Sequence, residues 1–157
     1  MIFKQWKQVL DGTKTQTRRP IRDGHEANRW DVETDVINEV IRPYPKGKWC
    51  RWQSVYVVGK TYAVQPGRGK KAVGRIRITK IRRGKLQNID INGVLAEGIS
   101  LEEIQTWLNK DHPESFMHYS PAQRAFQCLW DSIHGKGAWE RMKDDDVWVL
   151  DFGLINE

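Results

Sequence analysis

Apolar residues recur with different periods in different parts of the chain. In residues 3–11 (FKQWKQVLD), Phe3, Trp6, Val9 and Leu10 fall on one stripe, which predicts a short helix ending at Gly12. Ser54–Val58 and Tyr62–Gln65 are short and rich in β-formers, and Pro66–Lys71 separates them from the next strand signal. That signal, Ala72–Arg82, alternates Gly74, Ile76 and Ile78 with Arg75, Arg77 and Thr79, so one face is expected inward and the basic face outward. Leu86–Ile91 reads as a further strand. Ser100 and Glu103 have capping-box spacing and open a helix through Leu108. Ser120 and Gln123 repeat the device, with Pro121 at the first helical position. That second helix is expected to bury Ala125, Phe126, Leu129, Trp130 and Ile133 and to stop at Gly135, before an apolar strand at Val147–Phe152. The order is helix, loop, several strands, two helices and a last strand. It predicts an α+β fold with a small, mostly antiparallel sheet or barrel.

The length, 157 residues with 39% apolar content, fits a single domain over 1–157. Residues 22–53 break the pattern with Gly24, Pro43, Pro45, Gly47 and many charges, so they read as a loop-rich insertion, with Asp35–Arg42 alternating like a strand. No run approaches the roughly 18 uncharged apolar residues of a membrane helix. The first twelve residues mix Lys and Gln among apolar positions and do not read as a signal peptide. Cys50 and Cys128 are far apart and outside any C-x-x-C pair, which excludes a disulfide framework or a four-cysteine zinc site. A reducing, cytoplasmic setting is the expectation. His25, His112, His118 and His134 lack ligand spacing, and Asp144–Asp146 reads as an acidic turn, so neither metal nor other cofactor is expected.

Charge changes the picture. There are 26 Lys+Arg against 20 Asp+Glu, a net charge of +6. A basic excess favours polyanionic partners, nucleic acid above all. Arg75, Arg77, Lys80, Arg82 and Arg83 cluster on one strand, preceded by Arg68, Lys70 and Lys71 in a glycine turn. They read either as a positive track for a nucleic-acid backbone or as a solvated face. The turn lacks the spacing of a nucleotide P-loop. Of eight Trp, Trp130 and Trp148 sit in core patterns. Trp30, Trp49 and Trp52 lie in the charged irregular segment and are the candidates for stacking on a base.

The chemistry-bearing candidate is Gly12-Thr-Lys14-Thr-Gln-Thr17-Arg18-Arg19. Extended backbone puts Thr13, Thr15 and Thr17 on one face, whereas a bulge or turn would bring Lys14 to Thr17. Lys and Arg here suit a phosphate, and a buried Lys beside a Thr hydroxyl suits its activation. A solvated polar turn at a helix end is the alternative. Glu97, before the Ser100 cap, is a candidate general base or Lys partner, or a surface charge.

Gly12-x-Lys14-Thr15-x-Thr17-Arg18-Arg19 after a short amphipathic helix resembles the signature of ASCH domains. Val58–Lys70 and Gly74–Thr79 resemble that family's central strands, and Ala96-Glu97-Gly98 its acidic motif. Leu129–Gly135 and Val147–Leu150 resemble the last helix and strand of its longer bacterial and phage members. The resemblance implies a PUA-like small β-barrel flanked by helices, with a cleft for RNA, a nucleotide or a modified nucleoside. Within that superfamily, small amidohydrolases deacetylate acetylcytidine, and their Lys, Thr and Glu match Lys14, Thr17 and Glu97. The implied roles are activator, nucleophile and proton carrier or Lys partner. Other members are linked to ribonuclease activity or to RNA binding alone. The chain departs from the amidohydrolases in its length, its 22–53 segment and Arg19-Pro20. Three expectations follow: an RNA- or nucleotide-binding domain using Arg18, Arg19, Arg68, Lys70, Arg75, Arg77, Trp49 and Trp52; a hydrolase of an acylated nucleoside using Lys14, Thr17 and Glu97; or a metal-independent ribonuclease.

Overall fold

The computed structural model describes residues 1–44, 51–108 and 118–155. The elements run α1 (Trp6–Leu10), β1 (Gln16–Pro20), β2 (Glu26–Asp31), β3 (Val36–Pro43), β4 (Trp52–Val57), β5 (Thr61–Val64), β6 (Gly74–Lys85), α2 (Ile91–Ala96), α3 (Leu101–Leu108), α4 (Pro121–His134), α5 (Ala138–Met142) and β7 (Asp146–Ile155). The strands form two antiparallel sheets, β1-β7-β6-β5 and β2-β3-β4.

The apolar run at the end of the chain becomes β7, a central strand covered on both faces. Val147 and Val149 face the helices, packing with Leu86, Phe126, Trp130 and Trp139. Trp148 and Leu150 face the second sheet, packing with Ile37, Val40, Ile78 and Ile81. Phe152 joins Phe3, Val9, Val64 and Ile76 beneath α1. On β6 the register slips between Ile78, opposite Phe152, and Lys80, opposite Asp151. This bulge keeps Ile78 and Ile81 on one buried face and sets Arg82 on the other, beside Asp151.

Four expectations are corrected. The strands do not close into a barrel: β1 and β5 end their sheet, and among the described residues the isolated bridges just beyond them, Lys14 with Glu97 and Ile2 with Gln65, extend neither edge by a strand. The described part of 22–53 holds more strand than loop: the alternating Asp35–Arg42 stretch is β3, as expected, and it pairs with an unexpected β2 in a hairpin whose Ile37 and Val40 are fully buried against the first sheet. Leu86–Ile91 is not a strand. It is a 3₁₀ turn over Leu86–Asn88 leading into α2, because the Asp90 side chain accepts the Gly93 amide at 2.7 Å and caps the new helix. Ile133 is exposed, since α4 turns it toward solvent near the helix end. Both capping boxes form: Glu103 and Ser100 exchange bonds of 2.7 and 3.1 Å, and Gln123 and Ser120 bonds of 2.9 and 3.2 Å.

Candidate functional site

Lys14 lies between α1 and β1, where its amide donates to the Gln8 carbonyl at 2.8 Å and the next amide, Thr15, to the Ala96 carbonyl at 2.9 Å. These bonds bind the segment to both α1 and α2. Glu97 is the C-cap of α2, followed by Gly98 at φ +85°. A Cβ on Gly98 would stand 3.0 Å from Lys14 Cβ and 3.2 Å from Gln8 Cβ. Glycine is thus required for its conformation and for the close approach of the Lys14 and Gln8 side chains.

The result is a buried ion pair. Lys14 Nζ donates to Glu97 Oε2 and to the Glu97 backbone carbonyl, each at 2.6 Å. Glu97 Oε1 accepts the Arg18 amide at 2.7 Å and Arg18 Nη1 at 3.3 Å. The Arg18 amide is available because β1 is an edge strand. The side chains of Lys14 and Glu97 are about 95% removed from solvent. Burial pulls the Lys14 pKa below that of a free lysine, opposed by the Glu97 charge and hydrogen bond and reinforced by Arg19 and Arg18. Burial lowers the Arg18 pKa also, against the pull of Glu97.

The pair opens onto a cavity of about 380 Å³. That is at the small end of the roughly 300–1,000 Å³ range of small-molecule pockets. Thr17, Arg18 and Arg19 line it with Lys14 and Glu97, and the opposite wall comes from Phe3, Phe126, Leu129, Trp130 and His134. The Thr17 hydroxyl makes no hydrogen bond among the described residues, although the residue is buried. Behind the pair a polar chain continues through the sheet. Arg18 Nη1 donates to Gln16 Oε1 at 2.7 Å, Gln16 Nε2 to Asp151 Oδ1 at 2.5 Å, and Arg82 Nη2 to Asp151 Oδ2 at 3.0 Å.

Lys14, Thr17, Glu97, Arg18 and Arg19 therefore meet at one cavity. Arg68 and Lys70 do not line it, although Pro66, at the base of their loop, does. Arg75 and Arg77 are exposed on β6, outside the cavity. Trp52 is exposed on β4 and also outside it, and Trp49 lies outside the described residues. Among the described residues no group of three His, Cys, Asp or Glu is placed to hold a metal ion, and no helix is long and apolar enough to cross a membrane. Gln16, Asp151, Trp130 and His134 are the cavity-linked residues missed as site residues. Only the last two carried a signal, being one helical turn apart on α4, with ring centroids 4.2 Å apart.

No family model matches the chain, and no curated protein sequence matches it. Among solved structures it is similar to protein EF3133 from Enterococcus faecalis V583, described under the family model DUF984, with a TM-score of 0.51 and 13% identity over 97% of this chain and 67% of that one. It is also matched to an ASCH domain from Lactobacillus crispatus JV V101, with a TM-score of 0.45 and 15% identity over 95% of this chain and 69% of that one. The likeness to the Enterococcus faecalis protein is one of fold.

Proposed function

We propose that the chain is an ASCH-type hydrolase of small acylated nucleosides. The supporting observation is the buried Lys14–Glu97 pair, at 2.6 Å, opening with Thr17 onto one small cavity. A buried lysine with a lowered pKa is a competent base, and a nearby carboxylate can hold its proton. In this reading Lys14 first passes a proton to Glu97 along their hydrogen bond. The neutral amine takes the proton of the Thr17 hydroxyl as its Oγ attacks the acyl carbonyl carbon. The carbon–nitrogen bond to the base breaks, the leaving amine recovers a proton from Lys14, and the acyl group rests on Thr17 as an ester. Water, deprotonated by Lys14, then attacks the ester carbonyl; the Thr17 oxygen leaves and takes that proton from Lys14, and Glu97 returns its proton to Lys14 as the free acid departs. Arg18 fixes the carboxylate through its amide and guanidinium. The test is acetate release from N4-acetylcytidine by the wild type and by Lys14→Ala, Thr17→Val and Glu97→Gln.

A second reading, RNA binding, is favoured by one observation. Arg75 and Arg77 stand exposed on the same face of β6, Arg75 between Ala63 on β5 and Ile155 on β7, and Arg77 between Thr61 and Gly153. Two guanidinium groups side by side on one strand face suit contact with a phosphate backbone. This face lies outside the cavity, so the two readings are separable by mutation.

A further inference from the structure

Arg18 does not give its guanidinium wholly to Glu97. Its Nη1 lies 3.3 Å from Glu97 Oε1 but 2.7 Å from Gln16 Oε1, so the amide is the closer acceptor. The guanidinium has little room to move elsewhere. It packs 5.7 Å from the Phe126 ring centroid, and a Cβ on Gly93 of α2 would stand 2.9 Å from its Nη2. What the amide shows to Arg18 is decided on its other side. Gln16 and Arg18 share one face of β1, and the β1–β7 register sets Gln16 directly opposite Asp151. Gln16 Nε2 donates to Asp151 Oδ1 at 2.5 Å, and Arg82 Nη2 donates to Asp151 Oδ1 and Oδ2 at 3.1 and 3.0 Å. A guanidinium only donates and an ionised carboxylate only accepts, so one orientation of the amide between them satisfies both. Gln16 is buried, and a flipped amide would set donor against donor at one end and acceptor against acceptor at the other. Neither Gln16 nor Asp151 lines the cavity.

We infer that Gln16 and Asp151 are positioning residues: Asp151 fixes the Gln16 amide, and the amide holds the Arg18 guanidinium back from Glu97, leaving that carboxylate to Lys14. For its effect on turnover the inference rests on the hydrolase reading, in which Glu97 takes a proton from Lys14. Without the amide, Nη1 keeps Glu97 Oε1 as its acceptor among the described residues and closes on it. The approaching cation stabilises the carboxylate and opposes the charge on Lys14, and it is nearer to the carboxylate, so passing the proton to Glu97 becomes harder. The charges that act directly on Lys14 are those of Glu97, Arg19 and Arg18. Asp151 reaches Lys14 through the amide, by offering it an acceptor.

A ¹³Cε titration of Lys14 tests this without turnover, in the wild type and three variants whose folding is checked by circular dichroism. Gln16→Met keeps the length of the side chain and removes both of its bonds. Asp151→Ala frees the amide, and Asp151→Asn keeps an oxygen for Gln16 while deleting the charge. Lys14 should titrate lower by about half a pH unit or more in Gln16→Met and Asp151→Ala, and as in the wild type in Asp151→Asn. Asp151 is partly exposed, so its two variants decide the matter if Gln16→Met does not fold. A Lys14 titration unmoved in folded Gln16→Met or Asp151→Ala, or moved as far by Asp151→Asn as by Asp151→Ala, would overturn the inference. Acetate release from N4-acetylcytidine is measured on the same samples. There kcat should fall about tenfold or more in Gln16→Met and Asp151→Ala with KM unchanged, since neither residue lines the cavity. A shifted titration in a protein that releases no acetate defeats the hydrolase reading alone. Acetate release with kcat unchanged in those two variants defeats this inference alone.

Discussion

Lys14 grips Glu97 twice, with its Nζ 2.6 Å from the carboxylate Oε2 and 2.6 Å from the backbone carbonyl of the same residue. The carboxylate in turn is shared with Arg18, so one buried anion serves two buried cations. This asymmetry sets the cost of breaking the cluster. Glu97→Gln leaves Lys14 without a counter-ion and Arg18 with the field of Asp90 alone, and should destabilise the fold by about 3–5 kcal/mol, as loss of one partner of a buried pair does. Lys14→Met leaves Glu97 still held by Arg18 and should cost clearly less. Urea denaturation of both variants checks the order, and equal losses would contradict it.

The Lys14 ammonium should titrate below the free-lysine value, which a ¹³Cε chemical-shift titration reads directly. Glu97→Gln should lower it further, because the charge and hydrogen bond that pull it upward are removed. The consequence for stability has a definite sign. Between the lowered folded pKa and the higher unfolded one, the unfolded chain binds more protons at this position. The contribution of Lys14 to stability therefore rises with pH through that window, and its penalty is fully present below the folded pKa. A Lys14 signal titrating at or above the free value would contradict this.

Gly98 and Gly59 both have positive φ, +85° and +83°. A Cβ on Gly59 meets nothing within 4 Å, whereas on Gly98 it meets Lys14 and Gln8. Gly59→Ala should carry only the backbone penalty, about 1 kcal/mol. Gly98→Ala should lower Tm further and also reduce turnover by displacing Lys14. Calorimetry with an acetate-release assay distinguishes the two, and identical effects on both readouts would contradict the steric account.

Arg75→Ala with Arg77→Ala should weaken RNA binding and flatten its dependence on salt, since phosphate contacts release counterions. Acetate release should be unchanged, because neither side chain lines the cavity. A gel-shift series in increasing salt reads the first effect. Unaltered affinity in the double variant would remove β6 as a polyanion surface.

Much of this was legible because it is local. The α1 stripe, both capping boxes and the alternation of β6 are short-range patterns, and Ile76 and Ile78 are buried as the alternation requires. Lys14, Thr17 and Glu97 were picked out by motif, but nothing in their spacing shows that residues 14 and 97 touch. That contact depends on the edge position of β1 and on Gly98. Gln16 and Asp151 are 135 positions apart and meet only through the β1–β7 register. Of the β2–β3 hairpin, β3 shows in the alternation of Asp35–Arg42, whereas β2 and the pairing do not show. Arg29 and Asp35 both adopt positive φ without being glycine, and the charges there read as loop. α2 was missed because its six residues leave little helical period to read, and its start depends on the Asp90 cap.

The central claim is that Thr17, activated by Lys14, carries the acyl group. Its most direct measurement is the kcat/KM for acetate release from N4-acetylcytidine by wild type and Thr17→Val, with folding checked by circular dichroism. The account predicts turnover by the wild type and a loss of about a thousandfold or more in a folded Thr17→Val, as expected when a nucleophile is removed. Undiminished acetate release by folded Thr17→Val, or no release by the wild type, would contradict it.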